Sequence, residues 1–298
     1  RALYVGSRDG TLYAIDRTDG TSMWQFPTRD ELLSSPAIAN GVAYIGSVTG
    51  TVHAVSADSG GEQWRFQEPD EPVTSSPTVA DGTVVIGTRG GTLYGLNESN
   101  GNEQWQFRAG RQGRTAPAVV DGTVYVASYD GNVYALDVAD GRELWTFETD
   151  GVVESSPTVA SRRVYVGSAD ANVYAIDAAD GTEQWRFEAG GPIRVSSPAV
   201  VDGTVYVGSF DGYVYAIDGT EGTREWLFET GDRVFSSPAV AGSTVVIGSD
   251  DAALYALSAS DGTRKWRFEA GDWIRSSPAI AGRTVYVGSS DGSVYAIQ

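Results

Sequence analysis

Residues 115–147 read TAPAVVDGTVYVASYDGNVYALDVADGRELWTF, and turn signals cut this stretch into four short apolar runs. APAVV is followed by Asp-Gly, TVYVA by SYDG, and NVYALD by VADG, before RELWTF closes the unit. Short runs rich in Val and Tyr and bounded by Asp-Gly read as hairpin strands. They are called A to D here, in chain order. Period-2 alternation, run length and recurrent Gly exclude a helix.

The unit repeats along the whole chain. Trp24, Trp64, Trp105, Trp145, Trp185, Trp226 and Trp266 are spaced by 40 or 41 residues, each with Phe two residues later and Gly four residues earlier. Four hairpin-linked strands repeated at this length form a β-propeller blade. A solenoid is the alternative, but its repeats are shorter and seldom contain four such strands. Strand A, usually Ser-Ser-Pro, occurs seven times (Pro36, Pro77, Pro117, Pro157, Pro198, Pro238, Pro278), and so does strand D with its Trp. Strands B and C occur eight times, from Tyr4/Tyr13 to Tyr286/Tyr295. The count predicts an all-β, eight-bladed propeller of four-stranded antiparallel blades, with 1–298 as a single domain. It also predicts that 1–26 lacks an innermost strand and 276–298 an outermost one. Seven blades with a surplus B–C hairpin is the alternative. The chain opens on Arg1 in mid-repeat, so an upstream stretch of ~20 residues reading D then A is expected to complete both blades. A signal peptide or lipid anchor would lie there, and membrane association is expected only through such an anchor.

Composition narrows the function classes. Net charge is −18, from 39 acidic and 21 basic residues, and Lys265 is the single lysine. Diffuse acidity with almost no lysine resembles proteins of salt-loving archaea, whose carboxylates keep the surface hydrated; an acidic protein from a high-GC genome is the alternative. An acidic surface argues against nucleic acid, which needs a basic stripe. The absence of cysteine excludes disulfides, zinc knuckles, iron–sulfur sites and covalent haem. No stretch approaches the ~18 apolar residues of a membrane span.

AIDRTDGTSMW (14–24), ALDVADGRELW (135–145) and AIDAADGTEQW (175–185) resemble the tryptophan-docking motif of quinoprotein-like (pyrroloquinoline quinone repeat) β-propellers. That motif has Ala first, Asp third, Gly seventh and Trp last. Its spacing holds in all seven copies; Gly95 replaces Ala, and Ser56, Asn97 and Ser258 replace Asp. The resemblance implies that each Trp stacks across the seam between neighbouring blades, against the small first residue. It also implies two kinds of relative. One is the pyrroloquinoline quinone dehydrogenases; the other is non-catalytic scaffolds, such as the eight-bladed lipoprotein of the bacterial outer-membrane assembly machinery.

The residues favour a scaffold. The dehydrogenases are longer, with insertions between blades that build a quinone and calcium site, whereas the Trp spacing here never exceeds 41. The adjacent cysteine pair and the haem-attachment motif of such enzymes are missing. His53, the only histidine, stands in a strand C slot that holds Tyr in the other repeats, and it reads as a packed substitute. No Ser/His/Asp set assembles around it. Asp16, Asp137, Asp177 and Asp218 fall at C–D turns, where Asp caps backbone N–H groups, without the carboxylate density of a calcium loop. No catalytic residue, metal site or cofactor is therefore assigned.

Function is sought where the repeat breaks. Strand alternation puts A–B and C–D loops on one face, and B–C and D–A loops on the other. The first face is monotonous and the second varies. Aromatic residues outside repeat positions are Tyr129, Phe210, Tyr213, Phe235 and Trp273, all at or beside B–C and D–A loops. Arg114, Arg194, Arg233 and Arg275 join them. With strand A innermost, these residues ring the mouth of the axial channel. Aromatic and Arg residues at one rim make a recognition surface; the bland reading is isolated rim residues, or plugs of the channel mouth. The candidate binding set is Arg114, Tyr129, Arg194, Phe210, Arg233, Phe235, Trp273 and Arg275, for a protein or a small anionic ligand, with the seven repeat tryptophans as structural docking residues. The departures are expected to cost the fold little. The sequence thus reads as a non-catalytic binding scaffold at or outside the cell surface. Its rivals are a pyrroloquinoline quinone-dependent oxidoreductase or quinone-binding domain, with cofactor near Trp273 and Arg275, and the sensor module of a larger receptor or kinase.

Overall fold

The computed structural model describes residues 2–67, 71–110 and 115–298. Among them are eight antiparallel sheets and no helix: six sheets of four strands in the order A–B–C–D, and two of three. In the stretch that opens the sequence reading, A is Ala118–Val120, B Thr123–Ala127, C Asn132–Asp137 and D Glu143–Glu148. B and C fall as predicted. A is two residues shorter, because Pro117 has no N–H to give the ladder. D starts one residue late, because Arg142 closes the C–D turn by accepting the Asp137 N–H at 2.8 Å.

The fold is an all-β, eight-bladed propeller. Its first sheet (Ala2–Gly6, Thr11–Asp16, Ser22–Pro27) lacks strand A, and its last (Ala279–Ala281, Thr284–Gly288, Val294–Ile297) lacks strand D. The blades fall into two compact units, Arg1–Thr146 and Phe147–Gln298. They are numbered 1 to 8 in chain order.

Inside the first unit, Trp24, Trp64 and Trp105 donate Nε1–H to the carbonyls of Ala57, Glu98 and Val138, one blade on, at 2.9, 2.8 and 2.7 Å. Inside the second, Trp185 and Trp226 do the same to Gly219 and Ala259, at 3.0 and 2.9 Å. The position of the small first residue differs from what the resemblance implied. Ala216 pairs with Trp226 in the same sheet, just before a β-bulge, so the small residue lies under its own blade's ring. Across the seam the ring meets the next blade's turn glycine instead. A Cβ on Gly262 would come within 2.6 Å of the Trp226 ring, and its φ of +71° is left-handed, so both space and backbone demand glycine. The core is a series of such inter-blade layers. Between blades 6 and 7 it contains Tyr206, Val214, Trp226, Val234, Ile247, Tyr255 and Leu257.

Ser-Ser-Pro also has a physical reason. The buried first Ser clasps the end of strand B: Ser155 Oγ donates to the Gly167 carbonyl at 2.9 Å and accepts the Gly167 N–H at 2.8 Å. The second links strands A of successive blades. Within the second unit, N–H groups of Ser156, Ser197 and Ser237 donate to Oγ of Ser197, Ser237 and Ser277 at 2.9, 2.9 and 3.1 Å.

Candidate functional site

The D–A and B–C loops share a face because they hydrogen-bond to each other. Phe210 N–H donates to Pro192 O at 3.0 Å, Asp250 to Arg233 at 2.9 Å, and Ser290 to Trp273 at 2.9 Å. Among the described residues, D–A crossovers are anchored by buried aliphatic residues: Leu32, Val73, Val153, Ile193, Val234 and Ile274. Val234 and Ile274 are fully buried over the glycines that end strand B, and a Cβ on Gly208 or Gly248 would lie 2.2 or 2.3 Å from them. In extended backbone, the neighbours of an inward residue point outward. Arg233 and Phe235 therefore flank Val234 on the outer face, and Trp273 and Arg275 flank Ile274.

These outward side chains meet in a stack. The Phe210 and Phe235 rings lie 4.2 Å apart at 45°. The Arg275 guanidinium lies 4.4 Å from the Phe235 ring and 4.1 Å from the Trp273 ring, within cation–π range of both. Arg233 stands 5.6 Å from the Phe235 ring. Asp250, its side chain 1% exposed, fixes the arrangement. Arg275 donates to it through Nε at 2.7 Å and Nη2 at 2.9 Å, and Arg233 Nη2 approaches it at 3.4 Å. The hydrogen bonds to Asp250 hold the Arg275 pKa above its ordinary value. Trp273, 43% exposed as a residue, closes the stack.

Five of the eight candidate residues are brought together: Phe210, Arg233, Phe235, Trp273 and Arg275. Arg194 forms a separate fork, donating to Glu154 through Nε at 2.5 Å and Nη2 at 2.9 Å. Tyr129 is exposed and belongs to the other compact unit. Arg114 lies outside the described residues. One expectation is corrected. Arg275 and Arg194 are not surplus to the fold, because each neutralises a carboxylate from another loop.

Glu154 and Asp250 are the site residues absent from the candidate set. Asp250 stands at the same loop position as Tyr129 and Phe210, directly after the first residue of the B–C loop. A carboxylate there, facing arginines in the adjoining D–A loops, was the available signal.

A second device serves the same face. In most B–C loops an Asp accepts the hydroxyl of the Tyr four residues on, as in Asp130–Tyr134 at 2.7 Å and Asp211–Tyr215 at 2.6 Å. Asp130 also accepts the Gly110 N–H at 2.9 Å, tying in a D–A loop. Burial, then the hydrogen bond to Asp, pushes Tyr134 and Tyr215 up to about 12. Burial alone would raise Asp130, but hydrogen bonds from Tyr134 and the Asn132 N–H hold it below the ordinary Asp value. His53 occurs where Thr49 replaces the Asp; its Nδ1 is hydrogen-bonded to Glu62 at 2.8 Å and its ring packs edge-on against Phe26 at 5.4 Å. Asp137 caps its turn by accepting the Ala139 N–H at 2.9 Å. Among the described residues, no three His, Asp or Glu side chains converge as metal ligands would.

Comparison with known proteins places this geometry. A family profile described as "Beta-alanine-activating enzyme, beta-propeller" matches residues 114–298, and one described as "Outer membrane protein assembly factor BamB" matches residues 1–116. No curated protein matches the chain in sequence. The structure is similar to that of BamB from Moraxella catarrhalis, with TM-score 0.85 and 22% identity over 98% of this chain and 92% of that one. The computationally designed Ika8 protein gives TM-score 0.89 and 18% identity over 99% and 92%. Quinohemoprotein alcohol dehydrogenase from Comamonas testosteroni gives 0.82 and 15% over 96% and 68%. At these identities the likeness is one of fold.

Proposed function

The chain belongs to the β-propeller family of the beta-alanine-activating enzyme, and on that premise we propose that it is a non-catalytic interaction scaffold whose B–C and D–A loop face binds a protein partner. The observation that carries the proposal is the Phe210–Phe235–Arg275–Trp273 stack. It is held by a buried carboxylate and ends in an exposed indole. Pre-organised aromatic and Arg anchors are what interface hot spots contain. A match to an outer membrane protein assembly factor over 1–116 favours the same class and an extracytoplasmic location. Likeness to BamB over 98% of the chain favours 1–298 working as one propeller domain.

A quinone cofactor is the second reading, since the fold is shared with a quinohemoprotein dehydrogenase. The residues of this face do not fit one. Pyrroloquinoline quinone is a planar tricarboxylate, and the forks of Arg275 and Arg194 already hold Asp250 and Glu154.

Affinity capture from the source organism's envelope fraction, with wild type and Trp273→Ala side by side, tests the proposal. A partner retained by the wild type and lost by the folded variant is expected. Equal capture by both moves the site elsewhere, and tight binding of pyrroloquinoline quinone in equilibrium dialysis reinstates the cofactor reading.

A further inference from the structure

The stack has a direction. It runs ring, ring, guanidinium, ring: Phe210, Phe235, Arg275 and then Trp273. Trp273 uses its ring on Arg275 and still exposes 43% of its surface. Beyond Arg275, whose charge is paired with Asp250, its neighbours in these loops are acidic. Asp272 adjoins it in the chain and accepts the Trp273 N–H at 2.7 Å, while Asp291 accepts the Gly271 N–H at 2.8 Å in the same pair of loops. The Arg275 and Arg233 groups on the inner side share the buried Asp250. The chain as a whole carries −18. An anion arriving at the indole would meet carboxylates; a cation would meet both carboxylates and the negative face of a ring.

We propose that Trp273 is the docking ring for an arginine side chain of a basic partner segment, whose guanidinium stacks on the exposed indole and is steered there by Asp272. This rests on the scaffold reading and specifies its partner class. Arginine fits better than lysine because a planar, weakly hydrated guanidinium stacks on an indole with less desolvation than an ammonium. It also repeats the arrangement that Arg275 already makes between Phe235 and Trp273. A small anionic ligand, the other partner expected from sequence, is disfavoured by the same charges.

The test uses the ¹⁵N-labelled chain and follows the Trp273 indole N–H, assigned by its loss in Trp273→Phe. The probes are acetyl-Gly-Arg-Gly-Arg-Gly-amide and its Lys and Glu counterparts, at constant ionic strength. The Trp273 signal should shift saturably with the Arg peptide, less with Lys, and not with Glu. Asp272→Asn should weaken Arg-peptide binding roughly two- to fivefold, the size of one exposed charge contact. A Trp273 signal unmoved by the Arg peptide, or moved as much by Glu, overturns the proposal. The scaffold reading is judged separately: partner capture that needs Trp273 while the Arg peptide fails leaves the scaffold and removes the basic partner. Arg-peptide binding with capture independent of Trp273 does the reverse.

Discussion

Trp226 and Trp273 are the same residue type put to opposite uses in the second unit. Trp226 sits in strand D of blade 6, 7% exposed, its N–H on the Ala259 carbonyl and its ring pressed on Gly262. Trp273 sits in the D–A loop between blades 7 and 8, 43% exposed, its ring on a guanidinium. The first is placed by strand register, so every neighbour is dictated by the repeat. The second is placed by its loop: Ile274 buries itself and turns its neighbours outward, and the Trp273 carbonyl accepts the Ser290 N–H. A periodic residue is therefore a statement about the seam, and an exposed aperiodic one such as Trp273 is open to recognition.

That contrast breaks most visibly on truncation. Trp226→Ala should destabilise the chain by about 3–5 kcal/mol, as for other buried aromatic side chains. Trp273→Ala should cost less than about 0.5 kcal/mol, the range of exposed positions. Urea denaturation of both variants measures the difference, and equal losses would erase the distinction. Between them falls Arg275→Ala, which strips the bidentate partner from buried Asp250. Complete loss of a buried pair costs more, but Arg233 stays within 3.4 Å, so about 1–3 kcal/mol is expected. Adding Asp250→Asn should recover part of that loss; no recovery would mean the arginine acts by packing alone.

The fold was legible because it is written seven or eight times over. Each Trp, turn Gly and Ser-Ser-Pro reports the same local solution, so one misread copy is corrected by the others. The site was only half legible. Phe210, Phe235 and Trp273 stand out against the period, but their ordering agent, Asp250, is one of 39 acidic residues and 25 positions from Arg275. Spacing shows that an Arg is out of place and not which carboxylate claims it. The side on which the small motif residue lies was missed for a related reason. Ala216 faces Trp226 just before a β-bulge, and a bulge leaves no mark in residue spacing.

The Asp–Tyr clasps sharpen the comparison on the loop side. Tyr134 and Tyr215 are raised from 10.0 to about 12 in the folded chain, so the native state holds their protons more tightly than the unfolded one. Their contribution is complete below pH 10 and is lost as pH rises from 10 towards 12. Asp130 is shifted down, so its contribution is present above the ordinary Asp range and lost as pH falls through it. The urea midpoint should decline at both ends, and Tyr134→Phe should flatten part of the alkaline limb. An alkaline limb identical to wild type would deny the clasp a role.

A smaller effect is expected from the diffuse charge. Raising KCl from low to molar concentration should raise the melting temperature, because screening relieves repulsion within a chain of net charge −18. A flat or falling melting temperature would remove the ground for a halophilic origin.

Site-specific photo-cross-linking in cells of the source organism tests the central claim most directly. A benzoylphenylalanine at position 273 reports on the loop face, and one at Leu227, exposed on strand D of blade 6, reports on the repeat surface. A discrete protein adduct is expected from 273 and none from 227. An adduct confined to 227 would contradict the claim.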